Sequence, residues 1–286
     1  MRTPTQDWHD LKTEQDQFEL PNVSFKENGK LARREWFNAC EFHAMDEGTI
    51  FHELRKRVDR AGRPVVLLDL DSTLYQVEPR HHQIMLEWCD SIESQSFLEA
   101  RVKIMQLQRS QIGYSVRDTF GSLGIDLTEG LGNEAFESVK EFWSQRFFRN
   151  EWLKWDRPYS GAPEFVADLH QRGAQIVYLT GRDDQGMRLG TEANLIRDGF
   201  PFGSPSIQLW MKPSRNLSDL VFKKTAAERL RPLGVLIASI ENEPHNFAAL
   251  QELYPEAMHV IMDTLCSDRS ARVCQGVYRI RGFDPR

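Results

Sequence analysis

Five short apolar runs constrain the fold most: Val65–Leu68, Ile176–Leu179, Ile207–Met211, Val235–Ile240 and His259–Met262. They suit strands of a parallel sheet buried on both faces. Helical spacing fills the gaps. Pro163 to Gln171 sets Phe165, Val166 and Leu169 on one face, and Gly173 suits its C-terminal cap. Leu217 to Leu230 reads as another helix, and Asp46 to Arg60 as an earlier one, with Ile50, Phe51, Leu54 and Val58 inward and Ala61-Gly62 as its stop. Strands alternating with helices imply βαβ units and right-handed crossovers, so the expected class is α/β with a Rossmann-like parallel sheet.

One stretch breaks the rhythm. Between Tyr75 and Tyr159 there is no clear strand signal. Met85, Trp88, Cys89 and Ile92 repeat at helical spacing, as do Phe136, Val139, Trp143 and Phe147. A segment this long is rarely structureless, so a helical insert is expected, placed to act as a lid. The expected division is an N-terminal extension over 1–45, an α/β core over 46–78 and 157–286, and a helical cap over 79–156.

Composition excludes some functions. The net charge of −6 weighs against bulk binding to nucleic-acid phosphates. No apolar stretch approaches the roughly 20 residues that cross a bilayer. Met1 to Asp7 lacks the apolar segment of a signal peptide. Cys40, Cys89, Cys266 and Cys274 form no CxxC pair and read as reduced, buried thiols. A soluble, cytoplasmic protein with no membrane partner is expected; the oligomeric state is open.

Chemistry gathers at the strand ends, where open α/β sheets bind ligands. Asp69-Leu70-Asp71-Ser72-Thr73 follows the first run. Carboxylates two residues apart on extended chain face one way, and a cation lets both stay ionised. An EF-hand is excluded, since its sixth and twelfth positions would be Leu74 and Arg80. Thr180-Gly181-Arg182 ends the second run; a hydroxyl and freed N–H groups beside a glycine suit an anion. Lys223 shares a helix face with Ala226, Ala227 and Leu230 and points inward, whereas Lys224 points outward. Glu241-Asn242-Glu243 follows the fourth run and supplies hard oxygen donors, which favour Mg²⁺. His81-His82 and the residues Tyr75, Tyr114, Arg117 and Arg146 are weaker candidates: the histidines are expected on an exposed loop, the aromatics in the core. Neither a GxGxxG after a strand nor a P-loop is present.

These four elements, in this order, resemble the haloacid dehalogenase-like superfamily over about residues 63–263. The insert lies at the place of a C1-type helical cap. The fourth motif departs from the family pattern, with Glu241 and Glu243 in place of Asp; Glu241 is favoured as the ligand. The resemblance implies a Mg²⁺-dependent phosphatase acting on a small phosphorylated substrate. Asp69 would be the nucleophile that becomes phosphorylated, and Asp71 the acid and then the base. Thr180 and Lys223 would bind the phosphoryl oxygens, with Arg182 as a further contact. Asp69, the Asp71 carbonyl and Glu241 would hold the metal. The alternatives are a phosphomutase, a transferase using the Asp-x-Asp on a nucleotide sugar, or a silent phosphate-binding module.

Overall fold

A computed structural model describes residues 30–31 and 33–284. Six strands form one parallel sheet: β1 (Pro64–Leu68), β2 (Gln175–Asp183), β3 (Ile207–Lys212), β4 (Val235–Glu241), β5 (Met258–Met262) and β6 (Tyr278–Ile280). Their order is β3-β2-β1-β4-β5-β6, so β1 is central. This is the doubly wound order, with its switch point beside the first strand.

The alternation of side chains on β1 builds three layers. Val66 and Leu68 join a cluster with Ile50, Phe51 and Leu54 of α2 (Glu47–Arg60) and Phe165 and Val166 of α7 (Ala162–Gln171). Val65 and Leu67 face the other way, toward Phe222 and Ala226 of α9 (Asp219–Glu228) and Leu250 of α10 (Pro244–Leu253). Burial on both faces explains why the strand carries no polar residue. Helix ends follow their local chemistry. Asp46 caps α2 by accepting the Thr49 N–H at 2.7 Å. Gly173, at φ +93°, takes the left-handed conformation just past α7.

Residues 78–147 contain α3 (Glu78–Asp90), α4 (Leu98–Met105), α5 (Val116–Ser122) and α6 (Gly130–Phe147). They bury a cluster of their own around Trp88, Ile104, Phe120 and Phe136, apart from the sheet. The insert is not wholly strandless. Tyr75–Gln76 pairs antiparallel with Arg157–Pro158 where the chain leaves and returns. Two residues a side are too few for a pattern to register in sequence.

The early extension falls outside the described residues over 1–29. Its later part includes α1 (Arg33–Ala39), whose Trp36 is fully buried edge-on to Phe247 at 5.9 Å. Among the described residues, no helix is long and apolar enough to cross a membrane. All four cysteines are free and buried.

Candidate active site

Asp69 follows β1 and donates its N–H to the Ile240 carbonyl at 3.1 Å, which sets it beside the end of β4. The chain then doubles back. The Leu70 carbonyl accepts the N–H groups of Leu74 and Tyr75 at 2.9 and 2.8 Å, and Ser72 takes φ +57°. A non-glycine residue there costs on the order of 1–2 kcal/mol. The tight return lets Thr73 donate its hydroxyl to Asp69 Oδ2 at 2.8 Å. From α9, Lys223 Nζ donates to Asp69 Oδ1 at 2.5 Å and to Glu241 Oε2 at 2.7 Å. All three groups are buried; Lys224 is exposed.

Two carboxylates thus share one ammonium out of water. Burial pushes Asp69 up to about 7, the Glu241 charge adds to the push, and Lys223 pulls against both. Burial also raises Glu241, with Lys223 opposing. For Lys223, burial disfavours the charge but the two carboxylates more than offset it, so the ammonium stays protonated. The Glu243 carboxylate is engaged elsewhere, accepting the Ser267 hydroxyl at 2.6 Å and the Ser267 N–H at 3.0 Å, while its backbone N–H donates to Glu241 Oε1 at 3.1 Å.

Asp71 sits in a different field. Arg182 grips it with two bonds, Nε to Oδ2 at 3.0 Å and Nη2 to Oδ1 at 2.8 Å. Arg80 adds a third at 3.0 Å. Burial works against ionisation, but the two guanidinium groups outweigh it and hold Asp71 well below the usual carboxylate range. Both arginines also meet Asp156, Arg182 at 2.8 Å and Arg80 at 3.0 Å, and neither Arg80 nor Asp156 has any exposed surface. Sequence reasoning missed Arg80, Asp156 and the role of Thr73. The one signal for the first two is position, since they flank the insert and only folding brings its ends together.

Arg182 is therefore committed to carboxylates, with its remaining bond to Thr191 Oγ1 at 3.2 Å. The pairing of β2 with β3 shifts between Thr180 and Asp183, which aims Arg182 at Asp71. Thr180 is buried and its hydroxyl oxygen accepts the Arg182 N–H at 3.2 Å. Gly181 is required by a close approach: a Cβ there would lie 2.7 Å from Asp219 Oδ2. Asp219 is itself held by Lys212 at 2.5 Å.

A cavity of about 590 Å³ opens over Asp69, Asp71, Gly181, Arg182 and Lys223 and is roofed by the insert. Tyr114 and Arg117 line it, and Tyr114 is exposed rather than core; Tyr75 is buried under the sheet, and Arg146 pairs with Glu87 at 2.9 Å. The histidine expectation needs correction. His81 and His82 lie on α3, and His81 is buried, because Trp143 Nε1 donates to its Nδ1 at 3.1 Å. Burial pushes His81 down to about 3, with Arg80 adding to the shift. The folded ring stays neutral while the unfolded ring, near 6.5, takes a proton as pH falls. His81 therefore contributes stability above pH ~6.5 that is lost toward pH ~3, at a slope of up to about 1.4 kcal/mol per pH unit. Urea unfolding of His81→Phe and wild type between pH 7 and 4.5 checks this; parallel curves would refute it.

The donors around Asp69 and Glu241 are oxygens. Among the described residues, no three His, Cys, Asp or Glu side chains converge as a cage. Mg²⁺ commonly uses one or two carboxylates and keeps several waters. A surplus of buried negative charge on Asp69 and Glu241, relieved among the described residues by the Lys223 ammonium alone, fits that ion.

The sequence model of the haloacid dehalogenase-like hydrolases matches residues 64–202. No relative was found among curated proteins. Solved structures that resemble the chain include a candidate phosphatase from Clostridium difficile (14% identity, 70% of this chain and 84% of that one, TM-score 0.45). Another is protein tyrosine kinase A of Mycobacterium tuberculosis (13%, 76% and 94%, TM-score 0.44). A third is a haloacid dehalogenase superfamily hydrolase, subfamily IA, from Geobacter sulfurreducens (11%, 78% and 94%, TM-score 0.45). At this level of likeness none of the three bears on chemistry. The matched segment runs from β1 through the insert to the end of β2 and α8 (Asp184–Arg197), just under half of the chain, and over it the chain matches the haloacid dehalogenase-like hydrolases, a family of enzymes.

Proposed function

We propose that this enzyme is a Mg²⁺-dependent phosphomonoester hydrolase in which residues 79–156 act as a cap over the core. The observation that carries the reading is the pair of acids at the cavity floor with opposite surroundings: Asp69 against Lys223 and Glu241, Asp71 against Arg182 and Arg80. Different fields on neighbouring carboxylates are how one site holds a nucleophile and a proton carrier.

An Asp69 oxygen attacks phosphorus, and the bond from phosphorus to the leaving oxygen breaks. Asp71 gives that oxygen its proton. The arriving phosphoryl oxygens raise the proton affinity of Asp71 against its arginines, so the proton enters with the substrate. Asp71 then takes a proton from water as the water attacks the aspartyl-phosphate. The phosphorus–Asp69 bond breaks, and phosphate and free Asp69 result. Lys223 meets the phosphoryl oxygens and offsets their charge. We assign Thr180 a second contact, because its hydroxyl donates to no protein acceptor among the described residues. Arg182 positions Asp71. Asp69, Glu241 and the Asp71 carbonyl would hold Mg²⁺, which supplies charge neutralisation between the phosphoryl group and the attacking carboxylate. Four free, buried cysteines accord with a reducing compartment, and we place the enzyme in the cytoplasm on that ground.

The test is release of phosphate from p-nitrophenyl phosphate with Mg²⁺. Turnover should be lost on adding EDTA and return with excess Mg²⁺. Turnover that ignores EDTA, or none across a broad panel of phosphomonoesters, overturns the reading.

A further inference from the structure

Resting on that reading, we propose that the preferred substrate is a phosphomonoester with a flat aromatic body, seated against Trp143, Phe147 and Phe148, over a sugar or polyol phosphate. The three rings line the cavity that holds Asp69 at its floor, and each keeps part of its surface open. A cavity of about 590 Å³ has room for a ring system beyond the phosphoryl group.

The three rings themselves offer no free partner to a hydroxyl group. The Phe rings carry no polar atom, and Trp143 Nε1 is already spent on His81; the polar groups of the cavity belong to other lining residues, among them Ser115, Arg117 and Lys140. His81 stays neutral beside it and adds no charge of its own. A hydroxyl pressed against this wall leaves water without a new partner, which disfavours each such group on the order of tenfold. A flat apolar ring gains by the same burial.

The rings are also fixed before any ligand arrives. Trp143 stacks on Phe147 with centroids 4.4 Å apart and 26° between planes. The Arg80 guanidinium lies 3.8 Å from the Phe147 centroid, and that of Arg215 lies 4.1 Å from Phe148. Arg80 is the residue that also holds Asp71, so wall and acid share one rigid support. A preformed surface recognises a rigid planar body at lower ordering cost than a flexible one.

The experiment compares two primary alkyl esters of similar leaving ability, 2-phenylethyl phosphate and glycerol 1-phosphate, on the full-length enzyme with Mg²⁺. The expected kcat/KM ratio is about 30-fold or more in favour of the aromatic ester, and Phe148→Ala should bring it down several-fold. A ratio near one, or one favouring glycerol 1-phosphate, overturns the inference. In parallel, calorimetry measures binding of 3-phenylpropylphosphonate against 3,4-dihydroxybutylphosphonate, neither of which can be hydrolysed. Preferential binding of the phenyl compound without turnover of either ester supports the aromatic wall and overturns the hydrolase reading instead. Equal binding of the two phosphonates overturns the wall.

Discussion

Asp69→Asn should lower kcat by roughly 10⁴-fold or more while leaving the fold intact, the loss expected when a nucleophile is removed. The fold should survive because the amide can meet the existing partners. Its oxygen accepts from Lys223, and its NH₂ faces the Thr73 hydroxyl, which can turn and donate to Asn242 Oδ1 instead, now 3.3 Å away. The change also removes one of two buried negative charges that raise each other's proton affinity. Steady-state kinetics with a thermal melt on the same sample checks both halves. A kcat within tenfold of wild type would rule Asp69 out as nucleophile.

Asp156→Ala should cost about 3–5 kcal/mol of stability, the range seen when one partner of a buried ion pair is removed. Arg80 and Arg182 would stay buried with Asp71 as their only remaining carboxylate among the described residues. Asp71 is already shared, and part of its side chain is open to the cavity, so it cannot satisfy both at once. The exposed pair Lys140–Glu137 gives the contrast: Glu137→Ala should change stability by under about 1 kcal/mol. Denaturant unfolding measures both variants. Equal effects from the two would show that the buried cluster is not a structural support.

The core strands were legible because each is a mostly apolar run, unbroken in β1 and interrupted only by His259 in β5. The edge strand β6 was not. Tyr278 and Arg279 are only partly buried, the strand pairs on one side alone, and three residues carry no period. Asp69, Lys223 and Glu241 could be brought together in advance because each lies at a strand end or on an inward helix face, positions that follow from topology. Arg80 and Asp156 could not, because their meeting depends on how the insert closes on itself. His81 misled for a related reason. Its burial is decided by Trp143, 62 residues away on another helix, and nothing local announces that partner.

The short ladder of Tyr75–Gln76 against Arg157–Pro158 has one more implication. The helices between them depart and rejoin at neighbouring points, separated by about the 5 Å that divides paired strands. A foreign segment of any length could be transplanted there without moving the catalytic floor. Such a graft would have to bring its own anion for Arg182, since Asp156 departs with the excised piece together with Arg80.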